Sequence, residues 1–166
     1  MDRDLFELSV RVGEVLRGRG WMLATAESCT GGWIGECITM VAGSSTWYDR
    51  GFITYSNEAK MQMLGVREAT LRVHGAVSEH VVLEMARGTL TYSRAQVGVS
   101  VSGVAGPGGG TPDKPVGTVC IGWALADGQV RAGDFRFDGD RESVRRQSVV
   151  AALQGVIDLV GARTPA

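Results

Sequence analysis

Leu5, Leu8, Val12, Val15 and Leu16 recur at helical spacing, with Asp4 placed to cap the segment and Gly18 and Gly20 to close it. Trp21 to Ala26 is a short apolar run that predicts a buried strand. Glu27 to Gly32 then forms a polar turn into a second apolar helix ending near Gly43. Gly51 to Tyr55 predicts another strand, after which Ser56 or Asn57 can cap a helix through Lys60 and Met63 that stops at Gly65. Ser78 caps a longer helix carrying Val81, Val82, Met85 and Ala86 on one side. From Gln96 to Ser102, Val97, Val99 and Val101 alternate with small residues, the pattern of a close-packed central strand. Beyond the Gly/Pro segment Gly103 to Pro115, the runs Val116 to Ala126 and Gln129 to Phe137 flank Asp127-Gly128, a strong hairpin signal. Asp140 caps a last helix through Val144, Ala151, Ala152, Val156 and Leu159. This order predicts an α/β protein: a three-layer α/β/α sandwich with a mixed, mostly parallel sheet, and a C-terminal β-hairpin followed by a helix. No repeat, linker or low-complexity stretch interrupts it apart from the last few residues.

Length and charge narrow the function classes. The 166 residues suit one domain, 1–166, with a core of its own. Seventeen Lys and Arg against eighteen Asp and Glu leave a net charge of -1. Such a chain has no basic field for nucleic acid or an anionic membrane, so an anionic ligand must be held locally. The longest uncharged stretch, Ala95 to Pro112, is rich in Gly, Ser and Pro and lacks the sustained apolarity of a membrane span. The first residues are acidic, unlike the basic opening of a signal peptide. The three cysteines, Cys29, Cys37 and Cys120, have no paired spacing, which argues against a disulfide framework or a zinc site and fits a reducing cytoplasm. Glycine is the outlier at 24 residues, roughly twice ordinary usage, and it collects at the junctions between elements.

Three of those junctions follow predicted strands, where α/β sheets gather ligands. In Glu27 to Gly32, Ser28 is either a helix cap or an exposed nucleophile followed by amides able to hold an oxyanion. Thr30 divides in the same way between a cap and a substrate contact. The turn is not Gly-x-Ser-x-Gly, because Ala26 holds the first position. Cys29 reads as a small core residue. In Tyr55 to Lys60, Lys60 is either a solvated helix lysine or, if buried, a neutral base beside the Tyr55 phenol. His74 and His80 do not fall at strand ends and read as helix-face residues. Ser102 to Gly110 could bring backbone amides to an anion, or serve only as a connecting loop. It matches neither the P-loop nor the dinucleotide fingerprint. Arg141 and Arg145 share a face at the start of the last helix and could clamp a phosphate, or form a solvated face with Asp138, Asp140 and Glu142.

In order along the chain, Ala26-Glu27-Ser28-Cys29-Thr30-Gly31-Gly32, Gly51 through Tyr55-Ser56-Asn57-Glu58-Ala59-Lys60 and His74-Gly75-Ala76-Val77-Ser78 are followed by three further segments. These are Ser102-Gly103-Val104-Ala105-Gly106-Pro107, Lys114-Pro115-Val116-Gly117-Thr118-Val119, and Gly139-Asp140-Arg141 with Val144-Arg145. Together they resemble the CinA C-terminal domain family over nearly the whole chain. The resemblance implies hydrolysis of the carboxamide of nicotinamide mononucleotide to nicotinate mononucleotide and ammonia, with neither metal nor cofactor. It makes Ser28 the nucleophile and Lys60 its base, with Tyr55 and Ser102 assisting; Ser102 stands where many relatives have threonine and keeps the hydroxyl. Backbone amides from Thr30 to Gly32 become the oxyanion donors. Asn57, Gly103, Gly106, Arg141 and Arg145 join Thr30, Gly31 and Gly32 as substrate contacts. Longer relatives carry an additional N-terminal domain with a separate activity, which is not expected here. A homodimer is implied, with Trp33 or Trp47 as interface or core residues. A silent nucleotide-binding or competence-associated module would need the Gly-rich loop and the arginines but not Ser28 and Lys60. An amidase for another small carboxamide would share the mechanism and differ in the pocket.

Overall fold

A computed structural model describes residues 1–162; residues 163–166, where the sequence reading allowed a low-complexity end, lie outside the described residues. Five strands form one sheet: β1 (Leu23–Glu27), β2 (Tyr48–Ile53), β3 (Val97–Gly103), β4 (Thr118–Leu125) and β5 (Val130–Arg136). Their order is β2-β1-β3-β4-β5. The first three run parallel, whereas β4 and β5 are antiparallel to their neighbours. The sheet is therefore mixed, with its pairings evenly divided rather than favouring the parallel sense. The hairpin adds one antiparallel pair in itself and a second where it joins β3. Six helices cover the two faces: α1 (Arg3–Arg19), α2 (Trp33–Thr39), α3 (Asn57–Leu64), α4 (Glu68–His74), α5 (Glu79–Thr91) and α6 (Arg141–Gly161). None of the described helices is long and apolar enough to cross a membrane.

The main core lies under α1, α2 and α6, where Leu5, Val12, Ile34, Val149 and Leu153 meet Val97, Val99 and Val101 of β3. Gly98, Ser100 and Ser102 alternate with those valines, and this small-residue side allows α5 to pack closely. A Cβ at Gly98 would collide with Thr89 Oγ1, and Ser100 Oγ donates to Val82 O at 2.5 Å. The expected central strand is thus the middle one of five. The second core joins Leu64, Leu71, Val81, Val82 and Met85 on the opposite face. Every residue of β1 is buried, as a parallel strand covered on both faces requires.

Ser56, Ser78 and Asp140 cap α3, α5 and α6 with their side chains, and Gly65 closes α3 in the left-handed conformation. The first helix opens two residues earlier than expected: Asp2, not Asp4, accepts from Leu5 N at 3.2 Å. Arg146 holds the same carboxylate at 2.7 Å, and this hydrogen bond lowers the Asp2 pKa to about 2. The second helix stops at Thr39, short of Gly43, and a 3-10 turn at Ser44–Thr46 follows. Trp47 is buried in the core, which removes it as an interface residue.

From β1 the chain passes through α2 to β2 on one side of β1. It then returns through α3, α4 and α5 to β3 on the other side. The carboxyl ends of β1 and β3 therefore lie where the strand order reverses, the position at which open α/β sheets leave a crevice for ligands.

Candidate active site

Ser28 follows the last residue of β1, and the sheet fixes its backbone. Ser28 N donates to Val101 O of β3 at 3.0 Å, while Thr54 N donates to Glu27 O at 2.9 Å from the β2 side. Lys60 sits in the second turn of α3, and helical side chains lean toward the N-terminus of their helix. Its amine consequently reaches back past the Ser56 cap to three acceptors: Ser28 Oγ at 3.0 Å, Thr54 O at 3.0 Å and Tyr55 O at 3.4 Å. The residue is 1% exposed. Burial pushes the Lys60 amine below the ordinary lysine pKa, the nearby Cys29 sulfur acting in the opposite direction. A neutral amine has two N–H bonds for the two carbonyls and one lone pair, which can take the Ser28 hydroxyl proton. Ser28 Oγ and Lys60 Nζ thus form a hydroxyl–base pair built from separate elements.

This pair opens on a cavity of about 290 Å³. Tyr55, Asn57, Ser102, Gly103, Gly106 and Arg141 also line it, as do Ala76 and Val77 from the loop between α4 and α5. Arg141 stands at the mouth, with Nη1 donating to Gly106 O at 2.7 Å and Nη2 to the Tyr55 hydroxyl at 3.3 Å. The Tyr55 phenol is exposed and faces Arg141; this residue meets Lys60 through its carbonyl. Ser102 is buried in the wall beside the pair. Burial raises the Cys29 thiol to about 11, so it stays protonated near neutrality and lacks the thiolate that a nucleophilic cysteine needs. His74 and His80 stack on one another, ring centroids 3.6 Å apart, and neither lines this cavity. A larger groove of about 590 Å³ between β5 and α6, lined by Trp123, Phe135 and Phe137, contains neither Ser28 nor Lys60. Size does not locate the chemistry here. Among the described residues no group of three or more His, Cys, Asp or Glu is placed to hold a metal.

Four expected substrate contacts lie outside the cavity lining. Thr30 is fully buried, and its hydroxyl donates to Glu27 Oε1 at 2.6 Å. Gly31 and Gly32 have φ of 59° and 105°, so they supply the left-handed turn that other residues rarely adopt. Gly31 N already donates to Ser28 O at 3.1 Å. Arg145 donates to Cys29 O at 3.0 Å and Thr30 O at 3.1 Å, and its guanidinium lies 5.3 Å from the Trp33 ring centroid. Glu27 is a residue of the site's turn to which sequence reasoning gave no role. Its buried carboxylate accepts from the Thr30 hydroxyl, from Ile34 N at 2.9 Å and from Gly35 N at 3.1 Å, capping α2 from within. The acid directly before Ser28 in a strand-to-helix turn was the available signal. Ala76 and Val77 likewise lay in a recognised segment without an assigned contact.

A hydroxyl–amine pair thus lies at the switch point of a mixed sheet covered on both faces by helices. The chain belongs to the CinA C-terminal domain family, whose model matches residues 5–160. It is 57% identical over 153 residues to the nicotinamide-nucleotide amidohydrolase PncC of Escherichia coli K12, covering 92% of this chain and 93% of that protein. It is 56% identical over 153 residues to the protein of the same name from Enterobacter agglomerans, with the same coverages. Among solved structures, the competence/damage inducible protein CihA from Agrobacterium tumefaciens superposes with a TM-score of 0.91 at 46% identity, covering 94% of this chain and 95% of that one.

Proposed function

We propose that this chain hydrolyses the carboxamide of nicotinamide mononucleotide, giving nicotinate mononucleotide and ammonia through a Ser28–Lys60 pair and an acyl-enzyme. The observation that carries the reading is the buried Lys60 amine, 3.0 Å from Ser28 Oγ. The relatives named as nicotinamide-nucleotide amidohydrolases supply the substrate. Neutral Lys60 takes the Ser28 proton as Oγ bonds to the carboxamide carbon, and the carbonyl oxygen becomes an oxyanion. Lys60 then returns the proton to the amide nitrogen, the C–N bond breaks and ammonia leaves. Water attacks the resulting ester, with Lys60 again accepting a proton and passing it to Ser28 as the carboxylate is released. Thr54 O and Tyr55 O orient the amine throughout, and the Ser102 hydroxyl serves proton transfer beside it. Arg141 and the Gly103 to Gly110 loop, at the mouth, receive the phosphate, and Asn57 borders the same opening.

Ammonia release from nicotinamide mononucleotide by chelator-treated protein tests this reading. The parent turns over, while Ser28→Ala and Lys60→Ala, with unchanged circular dichroism, lose activity by about a thousandfold or more. A folded parent that releases no ammonia favours the binding-module alternative. Activity confined to other carboxamides removes the substrate assignment alone.

A further inference from the structure

The nucleophile turn is gripped from two sides by opposite charges, and neither charge lines the cavity. On one side the Glu27 carboxylate gathers the Thr30 hydroxyl and the Ile34 and Gly35 amides. On the other, the Arg145 guanidinium holds the Cys29 and Thr30 carbonyls and packs over Trp33. We propose that Glu27 and Arg145 are positioning residues that aim the Cys29 amide at the developing oxyanion, and that Arg145 does not bind the substrate phosphate. The proposal rests on the amidohydrolase reading above.

Peptide planarity transmits the grip. In a trans peptide the C=O and the following N–H point in opposite directions. Arg145 fixes the Thr30 carbonyl, which fixes the Gly31 N–H on the other side of the same plane. Gly31 N–H in turn donates to Ser28 O at 3.1 Å. The Ser28 carbonyl is thereby set, and with it the opposed N–H of Cys29. Cys29 lines the cavity beside Ser28 and Lys60; among the described residues its amide meets no backbone carbonyl and lies against its own thiol, a weak acceptor that an oxyanion would displace. The neighbouring amides are poorer donors: Gly31 N is engaged by Ser28 O, and Thr30 is fully buried. Glu27 meanwhile already engages the Ile34 and Gly35 amides at the start of α2. That leaves the exposed Arg141, which does line the cavity, as the arginine for the phosphate.

The two roles separate when nicotinamide mononucleotide is compared with its phosphate-free riboside. For Arg145→Gln the expected result is a fall in kcat of about tenfold or more on both substrates with KM within about twofold, as misplaced catalytic groups produce. Arg141→Met provides the contrast, raising KM for the phosphorylated substrate alone. A rise in KM at Arg145→Gln confined to the phosphorylated substrate, or unchanged kinetics, overturns the proposal. Should Arg145→Gln fail to fold, Thr30→Val and Thr30→Ser test the Glu27 side: Val lowers kcat on both substrates and Ser restores it. A fully active Thr30→Val overturns the proposal equally. A folded parent inactive on both substrates overturns the amidohydrolase reading and this proposal with it; an active parent with the wrong variant pattern overturns this proposal alone.

Discussion

Removed from water and held by two carbonyls and one hydroxyl, the Lys60 amine binds a proton less tightly than a solvent-exposed lysine. Burial penalises the ammonium and lowers its pKa. In the proposed mechanism the reactive form is the neutral amine, so activity is expected to rise with pH as Lys60 deprotonates. A profile of kcat/KM against pH should show an ascending limb centred below the ordinary lysine range, because kcat/KM reports groups of the free enzyme. A limb at the ordinary lysine position, or none, would contradict Lys60 as base. For Ser28, Lys60, Ser102 and Arg141, which line one cavity, only the family resemblance implied a shared site; the junctions of the first three, at predicted strand ends, were legible in the residues themselves. The directions of Thr30 and Arg145 were not. Both lie in the right segments, but their side chains turn to Glu27 and to the turn carbonyls, and contacts between distant segments leave no local pattern.

Elements with a side-chain cap and an apolar face were the readable ones. Helix α3 is framed by Ser56 and Gly65, and α6 opens at Asp140, much as the sequence suggested. Helix α4 went unpredicted because it has only seven residues and its N-cap, Arg67, makes no side-chain capping bond; its opening amide is held instead by Glu84 from α5. Strand β2 was misplaced by a few residues, since the edge strand carries Asp49, Arg50 and Gly51 in place of an apolar alternation. The packing of α3 against α5 also bears on the proposed mechanism, because α3 supplies Lys60. The two helices touch at Gly88, where a Cβ would collide with Leu64 O and lie 2.9 Å from Leu64 Cβ. Gly88→Ala must therefore push α3 away from α5. The expected cost is about 1–3 kcal/mol of stability, measured by urea unfolding, together with a loss of kcat that exceeds any change in KM. Wild-type kcat in a destabilised Gly88→Ala protein would show that the position of α3 does not set the Ser28–Lys60 distance.

At the scale of the whole molecule, the cavity is assembled from four connections that only the sheet order brings together. The turns after β1 and β2 carry Ser28 and Tyr55, while the α4–α5 loop carries Ala76 and Val77 and the β3–β4 loop carries Val104, Ala105, Gly106, Gly108 and Gly109. One side chain ties the last two: Lys114 Nζ, from the β3–β4 loop, donates to His74 O at 2.6 Å. His74 immediately precedes Gly75, whose φ of 75° lets the chain turn out of α4 toward Ala76. The stacked rings of His74 and His80 brace the same loop across its base. Lys114 is partly exposed and does not line the cavity, so its loss should leave the Ser28–Lys60 pair intact while freeing one wall from the other. A hydrogen bond of this kind contributes on the order of 1 kcal/mol when partly solvated, which corresponds to about a fivefold change in affinity. Lys114→Met is accordingly expected to raise KM by about three- to tenfold while kcat stays within about twofold. Steady-state kinetics on the folded variant checks this. A fall in kcat at constant KM would instead mean that the wall contacts the reacting carboxamide directly and contributes to the chemical step.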